Sequence, residues 1–519
     1  MFINSKEIPT NKEISADLCI IGAGAAGISI AREFNNSNTK VIILESGGYE
    51  YEEDTQSLYD GKNIGRDYYT LDTCRLRYLG GTTNHWGGAC KTLDDVDFEE
   101  HDWLPHSGWP ISKTDLDPFY ERALNVCQIG PYTFDAKDWQ NPSPPIPLQS
   151  SRAINTVFQF SPPVRFGEDY RQELKQSNNI DVYLYANVID FDTTESASQI
   201  KRAKVSSLTE NTFWVKAKHF VLATGGIENA RILLYANTTA KNGLGNDHDL
   251  VGRFFTEHIE IYTGIYLPSK ANLPGKFYAH QTINNRNIRG AIALNPQTVR
   301  SEKLLSTGAF LTPYQPPGLS SFTEIIDDLS DGKWPDAFLY HLNNVVSHLD
   351  KLAPYTYEQI TSENDVRMFS LHNRSAQSPN PESRVTLSSI DKDKLGKPKA
   401  NLRWQLANRD KLSLIRAQEI FAEEIGRASL GRIKIELDKE EIEWPSNLRG
   451  GYHHMGTTRM HDNPKKGVVD RNCKVHGINN LHIAGSSVFP TVGYVNPTFT
   501  IVALALRLAD QLKLEYYRG

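Results

Sequence analysis

The chain is poor in cysteine, with five in 519 residues. The five are odd in number, scattered and without a CxxC pair: Cys19, Cys74, Cys90, Cys127 and Cys473. This spacing supports neither a disulfide framework nor a zinc site, so we expect no metal and a reducing compartment.

The sequence also lacks an excess of basic residues and any long apolar run. Its net charge of −6 and pI near 6.2 argue against a nucleic-acid partner. The longest apolar stretch, residues 501–506, is far shorter than the roughly 20 residues that a membrane span needs. No basic segment followed by an apolar one begins the chain, so we expect a cytoplasmic protein without a membrane span.

The first ordered segment predicts a nucleotide-binding unit. Residues 17–21 form an apolar strand, residues 22–27 a glycine turn, and a helix begins at Ile28; a second strand, residues 41–44, ends at Glu45. In the GxGxxG turn, Gly22 permits the tight bend, Gly24 lets the backbone approach a pyrophosphate, and Gly27 lets helix and strand pack closely. Glu45 can accept hydrogen bonds from both ribose hydroxyls. A dinucleotide site is therefore predicted.

Two later strand ends favour FAD over NAD as the dinucleotide. Residues 220–226 end in Ala223-Thr-Gly-Gly226, and residues 480–486 end in Ala-Gly485-Ser486. Each would bring backbone close to a flavin nucleotide.

Nucleotide-type segments at the start, middle and end predict one domain built from separated pieces. We assign residues 1–100, 181–258 and 446–519 to a Rossmann-like FAD-binding domain, and residues 101–180 and 259–445 to an α+β substrate-binding domain. The predicted fold class is α/β. The oligomeric state stays open, a homo-oligomer included.

The chain resembles the glucose–methanol–choline (GMC) oxidoreductases, and within them the pyranose 2-oxidase and sugar dehydrogenase branch. The matching blocks follow the family order from about residue 17 to 512: IIGAGAAG, VIILESGG, RLRYLGGTTNHWGG, GWPISKTDLDPFYERA, ATGGIENARILL, VGRFFTEH, SPNPESRVTL, HHMGTTRM and NNLHIAGSSVFPTVGYVNPTFTIVALALRLAD. The resemblance implies a flavoprotein that oxidises an alcohol carbon, with a secondary hydroxyl of a sugar, glycoside or polyol as the expected substrate.

The resemblance also implies roles for individual residues. His453 takes the position of the catalytic histidine and Asn496 that of its partner. The implied cofactor contacts are Gly22, Gly24, Gly27, Glu45, Gly81, Thr82, Asn84, His85, Val188, Ala223, Gly485, Ser486, Asn496 and Thr498. Relatives of the pyranose oxidase branch bond the flavin covalently through the histidine that corresponds to His85. Gly87 departs from the residue found there, so we expect FAD without this bond and keep the bond as the alternative.

Alcohol oxidation requires a base for the hydroxyl proton while hydride leaves carbon for flavin N5. An imidazole can be that base, so we predict this role for His453, with the Asn496 amide donating to the oxygen. His454 would point elsewhere in an extended segment. His258, His372 and His482 have no partner in the sequence and are expected to be structural or exposed.

Two arginines and four aromatic residues have side chains that could also contact a ligand. Arg75 and Arg77 are expected to be solvated rather than bound to phosphate. An aromatic wall against a sugar ring is one interpretation of Phe310, Tyr314, Tyr340 and Trp404, although a core position is favoured.

Four other functions remain open at this point. One is a flavoprotein of the same fold with non-redox chemistry, such as a hydroxynitrile lyase, and a second is an oxidoreductase for a non-sugar alcohol. The others are an NAD(P) dehydrogenase and a regulatory nucleotide-binding protein. Oxygen, a quinone or a protein could each accept the electrons.

Overall fold

The fold is taken from a computed structural model of the 519-residue chain. It describes residues 1–139, 144–149, 151–270, 275–314, 368–441 and 443–518, together with 325, 342 and 345–347. Within these residues, no helix has the length and apolar character needed to cross a membrane.

The strands of the described residues are numbered in chain order. They are β1 (Phe2–Asn4), β2 (Glu13–Ser15), β3 (Leu18–Ile21), β4 (Val41–Leu44), β5 (Gly61–Asn63), β6 (Ala89–Cys90), β7 (Ala153–Phe160), β8 (Ile180–Leu184), β9 (Asn187–Thr193), β10 (Ile200–Ser206), β11 (Thr212–Lys216), β12 (His219–Leu222), β13 (Ile259–Pro268), β14 (Gln281–Ile283), β15 (Arg286–Leu294), β16 (Thr307–Pro313), β17 (Phe369–Ser375), β18 (Arg384–Lys392), β19 (Pro398–Arg403), β20 (Gly431–Ile435), β21 (Arg449–Gly450) and β22 (Leu481–Ile483).

The α-helices of the described residues are numbered in the same way. They are α1 (Ala25–Glu33), α2 (Glu53–Gln56), α3 (Lys113–Cys127), α4 (Phe166–Asp169), α5 (Arg171–Gln176), α6 (Glu228–Tyr235), α7 (Gly275–Tyr278), α8 (Pro296–Glu302), α9 (Asn408–Arg427) and α10 (Thr498–Arg518).

A six-stranded parallel sheet forms the centre of the nucleotide-type fold. Its order is β1-β8-β4-β3-β12-β22, and every neighbouring pair is parallel. The residues of β3 and β4 are buried throughout, as expected for strands covered on both faces. Helices α1 and α10 pack against each other, and α3 packs against α10. The predicted strand–turn–helix–strand unit is confirmed, although the helix begins at Ala25 rather than Ile28.

A nine-stranded, mainly antiparallel sheet forms a second layer. The main path runs β20-β13-β17-β16-β15-β7-β6, with β14 paired to β15 and β21 paired to β13. Helix α9 packs against β20 and β7. Two smaller sheets accompany it, β2-β11-β10-β9 and β18-β19-β5. The predicted α/β class, with a parallel sheet and separate further sheets, is confirmed.

The parallel sheet draws its strands from distant parts of the chain. β1, β3 and β4 come from the first segment, β8 and β12 from the middle, and β22 from the last. However, α3 belongs to the predicted substrate-binding segment and packs on α10 of the predicted FAD-binding segment. The domain boundaries given above therefore stay a prediction.

Candidate active site

A deep cleft lies at the carboxyl ends of strands β3, β4, β12 and β22. The loops that follow these strands contribute residues 22–26, 45–46, 223–228 and 484–486 to its lining. In open parallel sheets this edge is where ligands bind, because the loops leave the sheet there and helix N-termini point toward it.

Each of the three predicted glycines in the first turn has a different structural role. Gly22 has a φ of +104°, and a Cβ there would lie 2.6 Å from the Ala223 carbonyl oxygen. A Cβ on Gly27 would lie 2.0 Å from the carbonyl oxygen of Gly22. By contrast, a Cβ on Gly24 would meet no atom within 4 Å, because Gly24 faces the open cleft just before α1. The turn thus leaves room for a phosphate to approach backbone, which fits an FAD pyrophosphate.

Glu45 lies at the end of β4 and is 5% exposed. Its carboxylate accepts hydrogen bonds from the backbone N–H of Ala23 at 2.8 Å and of Gly47 at 2.9 Å. Burial raises its pKa, while these bonds and Arg77 act in the opposite direction. The carboxylate lines the cleft next to the glycine turn, where it fits a ribose of FAD.

The interpretation of Arg75 and Arg77 as solvated charges is wrong. Both line the cleft, and their side chains are 8% and 9% exposed. Their guanidinium groups lie 3.5 and 3.3 Å from the Glu228 carboxylate, which also pairs with Arg231 at 2.9 Å. Burial acts to raise the pKa of Glu228, but Arg231, Arg77 and Arg75 outweigh it and lower the pKa to about 2. The sequence feature that could have indicated this ion pair is Glu228, an acidic residue that follows the glycine pair and Ile227 at the cleft.

The structure brings most of the predicted cofactor contacts together. Those that line the cleft are Gly22, Gly24, Glu45, Gly81, Thr82, Val188, Ala223, Gly485, Ser486 and Thr498. Gly27, Asn84, His85 and Asn496 are not part of the lining. Asn84 donates to the Leu79 carbonyl at 2.9 Å, and the His85 side chain is exposed.

His453 and Asn496 meet at the cleft, although 43 residues separate them. His453 lines the cleft, and its Nε2 lies 3.1 Å from Asn496 Nδ2. Asn496 precedes Pro497, whose fixed backbone restrains it at the start of α10. The two residues with predicted catalytic roles are therefore direct neighbours.

His258 has a partner that the sequence did not reveal, which corrects its interpretation as a histidine without one. It is fully buried, and its Nδ1 lies 2.8 Å from Nδ1 of His453. Its Nε2 lies 2.9 Å from the Gly493 carbonyl oxygen. Burial, followed by Arg374, lowers the pKa of His258 to about 3. Burial and then His258 and Arg374 also hold the pKa of His453 well below its usual value, so both imidazoles are neutral near pH 7.

On the other side of Asn496 lies Arg374. Its Nη1 donates to Asn496 Oδ1 at 2.5 Å, and its Nε donates to Glu260 at 2.7 Å. Glu260 on β13 and Arg374 on β17 are register partners, so this is a cross-strand ion pair. His372 has an acidic neighbour as well, since its Nε2 lies 3.6 Å from Glu260.

The predicted aromatic wall is not assembled by the described residues. Trp404 is 1% exposed and donates to Gln377 at 2.9 Å, and Phe310 is 4% exposed and packs on Phe158. Both are core side chains, as favoured. Tyr314 does not line the cleft, and Tyr340 lies outside the described residues.

A second polar cluster lies at the opposite end of the parallel sheet. His219, His482 and Glu515 place ligand-type atoms within 4.8 Å of one another. Lys474 Nζ lies 3.5 Å from the Glu515 carboxylate, so an ammonium already supplies the positive charge there. The cluster is therefore poorly suited to a metal ion.

Known proteins resemble this chain in sequence and in fold. Residues 379–505 match the family model of the GMC oxidoreductases. The chain is 21% identical to the large subunit of fructose dehydrogenase from Gluconobacter japonicus, with 98% of this chain and all of that protein covered. It is 22% identical to 2-methyl-1,2-propanediol dehydrogenase from Mycolicibacterium austroafricanum, over 98% of this chain and 97% of that one. Among solved structures, pyridoxine 4-oxidase from Mesorbium loti has a similar fold, with a TM-score of 0.51 at 15% identity over 97% of this chain and 99% of that one. Residues 379–505 thus match the GMC oxidoreductase model, and the expected resemblance of the chain to the GMC oxidoreductases, FAD-dependent enzymes that act on CH–OH donors, is confirmed.

Proposed function

We propose that the protein oxidises a secondary hydroxyl of a sugar, glycoside or polyol, with His453 as the base. The observation that carries this proposal is the contact of 3.1 Å between Asn496 Nδ2 and Nε2 of His453, which lines the nucleotide cleft. When an imidazole nitrogen and an amide N–H lie side by side, the nitrogen can accept the hydrogen of a hydroxyl group and the N–H can donate to its oxygen.

FAD would lie along the cleft and supply the hydride acceptor. Gly24 and the start of α1 would hold the pyrophosphate, and Glu45 would bind a ribose. Val188, Ala223 and Gly485 would line the path toward His453. His85, which is exposed and outside the lining, is not assigned a covalent bond to the flavin.

The chain's own residues would handle the proton. Burial, followed by His258 and Arg374, lowers the pKa of His453. The ring is therefore neutral near pH 7 and can accept the hydroxyl proton. The substrate hydroxyl would displace the Asn496 N–H from the Nε2 lone pair of His453, and the amide would then donate to the hydroxyl oxygen as negative charge develops on it. Neither residue needs to change charge before substrate binds.

The choice of a sugar or polyol is supported by relatives. Fructose dehydrogenase and 2-methyl-1,2-propanediol dehydrogenase are both named for polyhydroxylated donors.

The test is an anaerobic screen of flavin absorbance over monosaccharides, glycosides and polyols. We expect at least one carbohydrate to bleach the flavin, and His453→Ala to slow this step about 100-fold or more. The matched control is His248→Ala, because His248 is exposed. Reoxidation by air or by a quinone then identifies the acceptor.

Other outcomes contradict the proposal in distinct ways. A protein that stays yellow with every alcohol but cleaves a cyanohydrin would be a lyase. A colourless protein that uses NAD(P) would exclude the flavin mechanism. Unchanged reduction in His453→Ala would remove His453 as the base.

A further inference from the structure

A continuous series of four hydrogen bonds runs through the candidate active site. It joins Arg374 Nη1 to Asn496 Oδ1 (2.5 Å) and Asn496 Nδ2 to His453 Nε2 (3.1 Å). It continues from His453 Nδ1 to His258 Nδ1 (2.8 Å) and from His258 Nε2 to the Gly493 carbonyl (2.9 Å). Both ends of the series belong to fixed structure, since Arg374 lies on β17 and Gly493 lies in the loop before α10.

The chemistry of the Arg374 end fixes the orientation of the asparagine amide. A guanidinium group has donors and no acceptor, so the atom it contacts must be the amide oxygen of Asn496. The amide nitrogen therefore faces His453 Nε2. Because that nitrogen donates, the Nε2 of His453 must carry the lone pair.

The chemistry of the Gly493 end leads to the same result independently. A carbonyl oxygen only accepts, so the proton of neutral His258 is on Nε2 and its Nδ1 is bare. The contact of 2.8 Å between the two Nδ1 atoms then requires the proton on His453 Nδ1. His453 is neutral, so its Nε2 is again the free base. Two separate arguments thus give one tautomer.

We propose that Arg374 and His258 are positioning residues that hold His453 in the tautomer whose Nε2 can accept the substrate proton. This inference rests on the proposed role of His453 as base. In the opposite tautomer, two bare Nδ1 atoms would face each other and an N–H would face the amide N–H of Asn496. Both contacts would be lost, so the opposite tautomer is disfavoured at two places at once.

Arg374 also pairs with Glu260, and the experiment must separate the effect of this ion pair from the effect of the bond to Asn496. Its Nε pairs with Glu260 at 2.7 Å, and Glu260 in turn lies 3.6 Å from His372. Removing Arg374 alone would take the closest cation away from the partly buried carboxylate of Glu260, which would disturb the site by another route. Variants of Arg374 are therefore made in a chain that carries Glu260→Gln.

The first arm compares two substitutions of His258. His258→Asn keeps an acceptor oxygen where Nδ1 was, whereas His258→Leu removes it. Anaerobic stopped-flow measurement gives the rate constant of flavin reduction and the substrate Kd separately. We expect His258→Leu to lower the rate constant about 10-fold or more with Kd nearly unchanged, and His258→Asn to recover most of the loss.

The second arm is a double-mutant cycle in the Glu260→Gln chain. Arg374→Met is expected to slow flavin reduction when Asn496 is present and to have no further effect in Asn496→Ala, because the amide that it orients is then gone. This arm keeps the inference testable even if His258→Leu fails to fold. Selective ¹⁵N labelling of histidine, with His453→Gln to assign the signal, reads the tautomer directly.

Each outcome decides between the two claims. If His258→Asn is as slow as His258→Leu, or if Arg374→Met and Asn496→Ala have additive effects, the positioning role is wrong. A ¹⁵N signal that shows a protonated Nε2 on His453 also overturns it. If the substrate reduces the flavin of His453→Ala at the wild-type rate, the proposed function is wrong, and not only the positioning role.

Discussion

The Glu257 carboxylate accepts a hydrogen bond of 2.7 Å from the backbone N–H of His453. It also accepts from the backbone N–H of Gly451 and of His258 and from the Tyr68 hydroxyl, at 3.0, 2.7 and 2.5 Å. The candidate base is thus held by its backbone as well as by its ring. Burial raises the pKa of Glu257 to about 7, and the four donated bonds act in the opposite direction.

Glu257→Gln is expected to loosen the segment that carries His453. The amide NH₂ would face two donors in place of an acceptor, so about two hydrogen bonds would be lost, at about 1–3 kcal/mol for each donor left unpaired. We expect flavin reduction to slow about 10-fold or more and the unfolding midpoint to fall. Glu50→Gln is the control, because Glu50 is exposed. Equal behaviour of the two variants would contradict an anchoring role for Glu257.

Gly27→Ala is expected to impair FAD loading. The new Cβ would lie 2.0 Å from the Gly22 carbonyl oxygen, so α1 would have to move away from the turn that faces the cleft. The ratio of flavin to protein after purification and the affinity of the apoprotein for added FAD measure the effect. Gly426→Ala is the control, because Gly426 is an exposed position of α9 where a Cβ would meet no atom within 4 Å outside the helix's own backbone. Full flavin content in Gly27→Ala would mean that close packing there is not required.

His482→Gln is expected to make the protein less sensitive to acid. Burial, followed by His219 and Lys474, lowers the pKa of His482 to about 3, whereas an unfolded histidine titrates near 6.5. Between these values the unfolded chain binds one more proton, so this residue's contribution to stability is complete above pH 6.5 and is lost as pH falls toward 3. The loss is at most about 1.4 kcal/mol per pH unit.

Denaturant unfolding at pH 6.5, 5.5 and 4.5 measures this slope. As pH falls, the free energy of unfolding of the wild type and of the exposed-site control His248→Gln should decrease more steeply than that of His482→Gln. The difference in slope corresponds to about one additional proton taken up on unfolding. Parallel curves for all three proteins would show that His482 titrates normally in the folded state.

FAD is expected to leave the protein on acid precipitation. His85 is exposed and does not line the cleft, so we predict no covalent bond through it. The measurement is flavin absorbance in the supernatant and in the washed pellet. Flavin retained in the wild-type pellet but absent from the pellet of His85→Ala would establish the covalent bond instead.

The local parts of the fold could be predicted from the sequence because their causes are local. An apolar strand, three glycines at fixed spacing and a terminal acid specify the turn around Gly22, Gly24 and Gly27 and the place of Glu45, and the structure contains each of them. The pairing of His453 with Asn496 depended on the resemblance to a family, since nothing between the two residues indicates that they meet.

The burial of charge could not be predicted in this way. Arg75 and Arg77 stand in a loop sequence of the kind that is usually solvated, and only the packing of α6 brings Glu228 against them. The same holds for His258, whose partner lies 195 residues away on another segment.

The sequence by itself determined the nucleotide turn, the order of strands and helices around it, and the chemical types available for catalysis. Only the tertiary structure decided which of fifteen histidines share a hydrogen bond and which nitrogen of His453 carries the proton. The physical reason is that a tautomer is set by donors and acceptors that touch the ring. Here those groups are His258, from the segment before β13, and Asn496, from the loop before α10, and Arg374 of β17 orients the Asn496 amide. Only chain folding brings these three segments together.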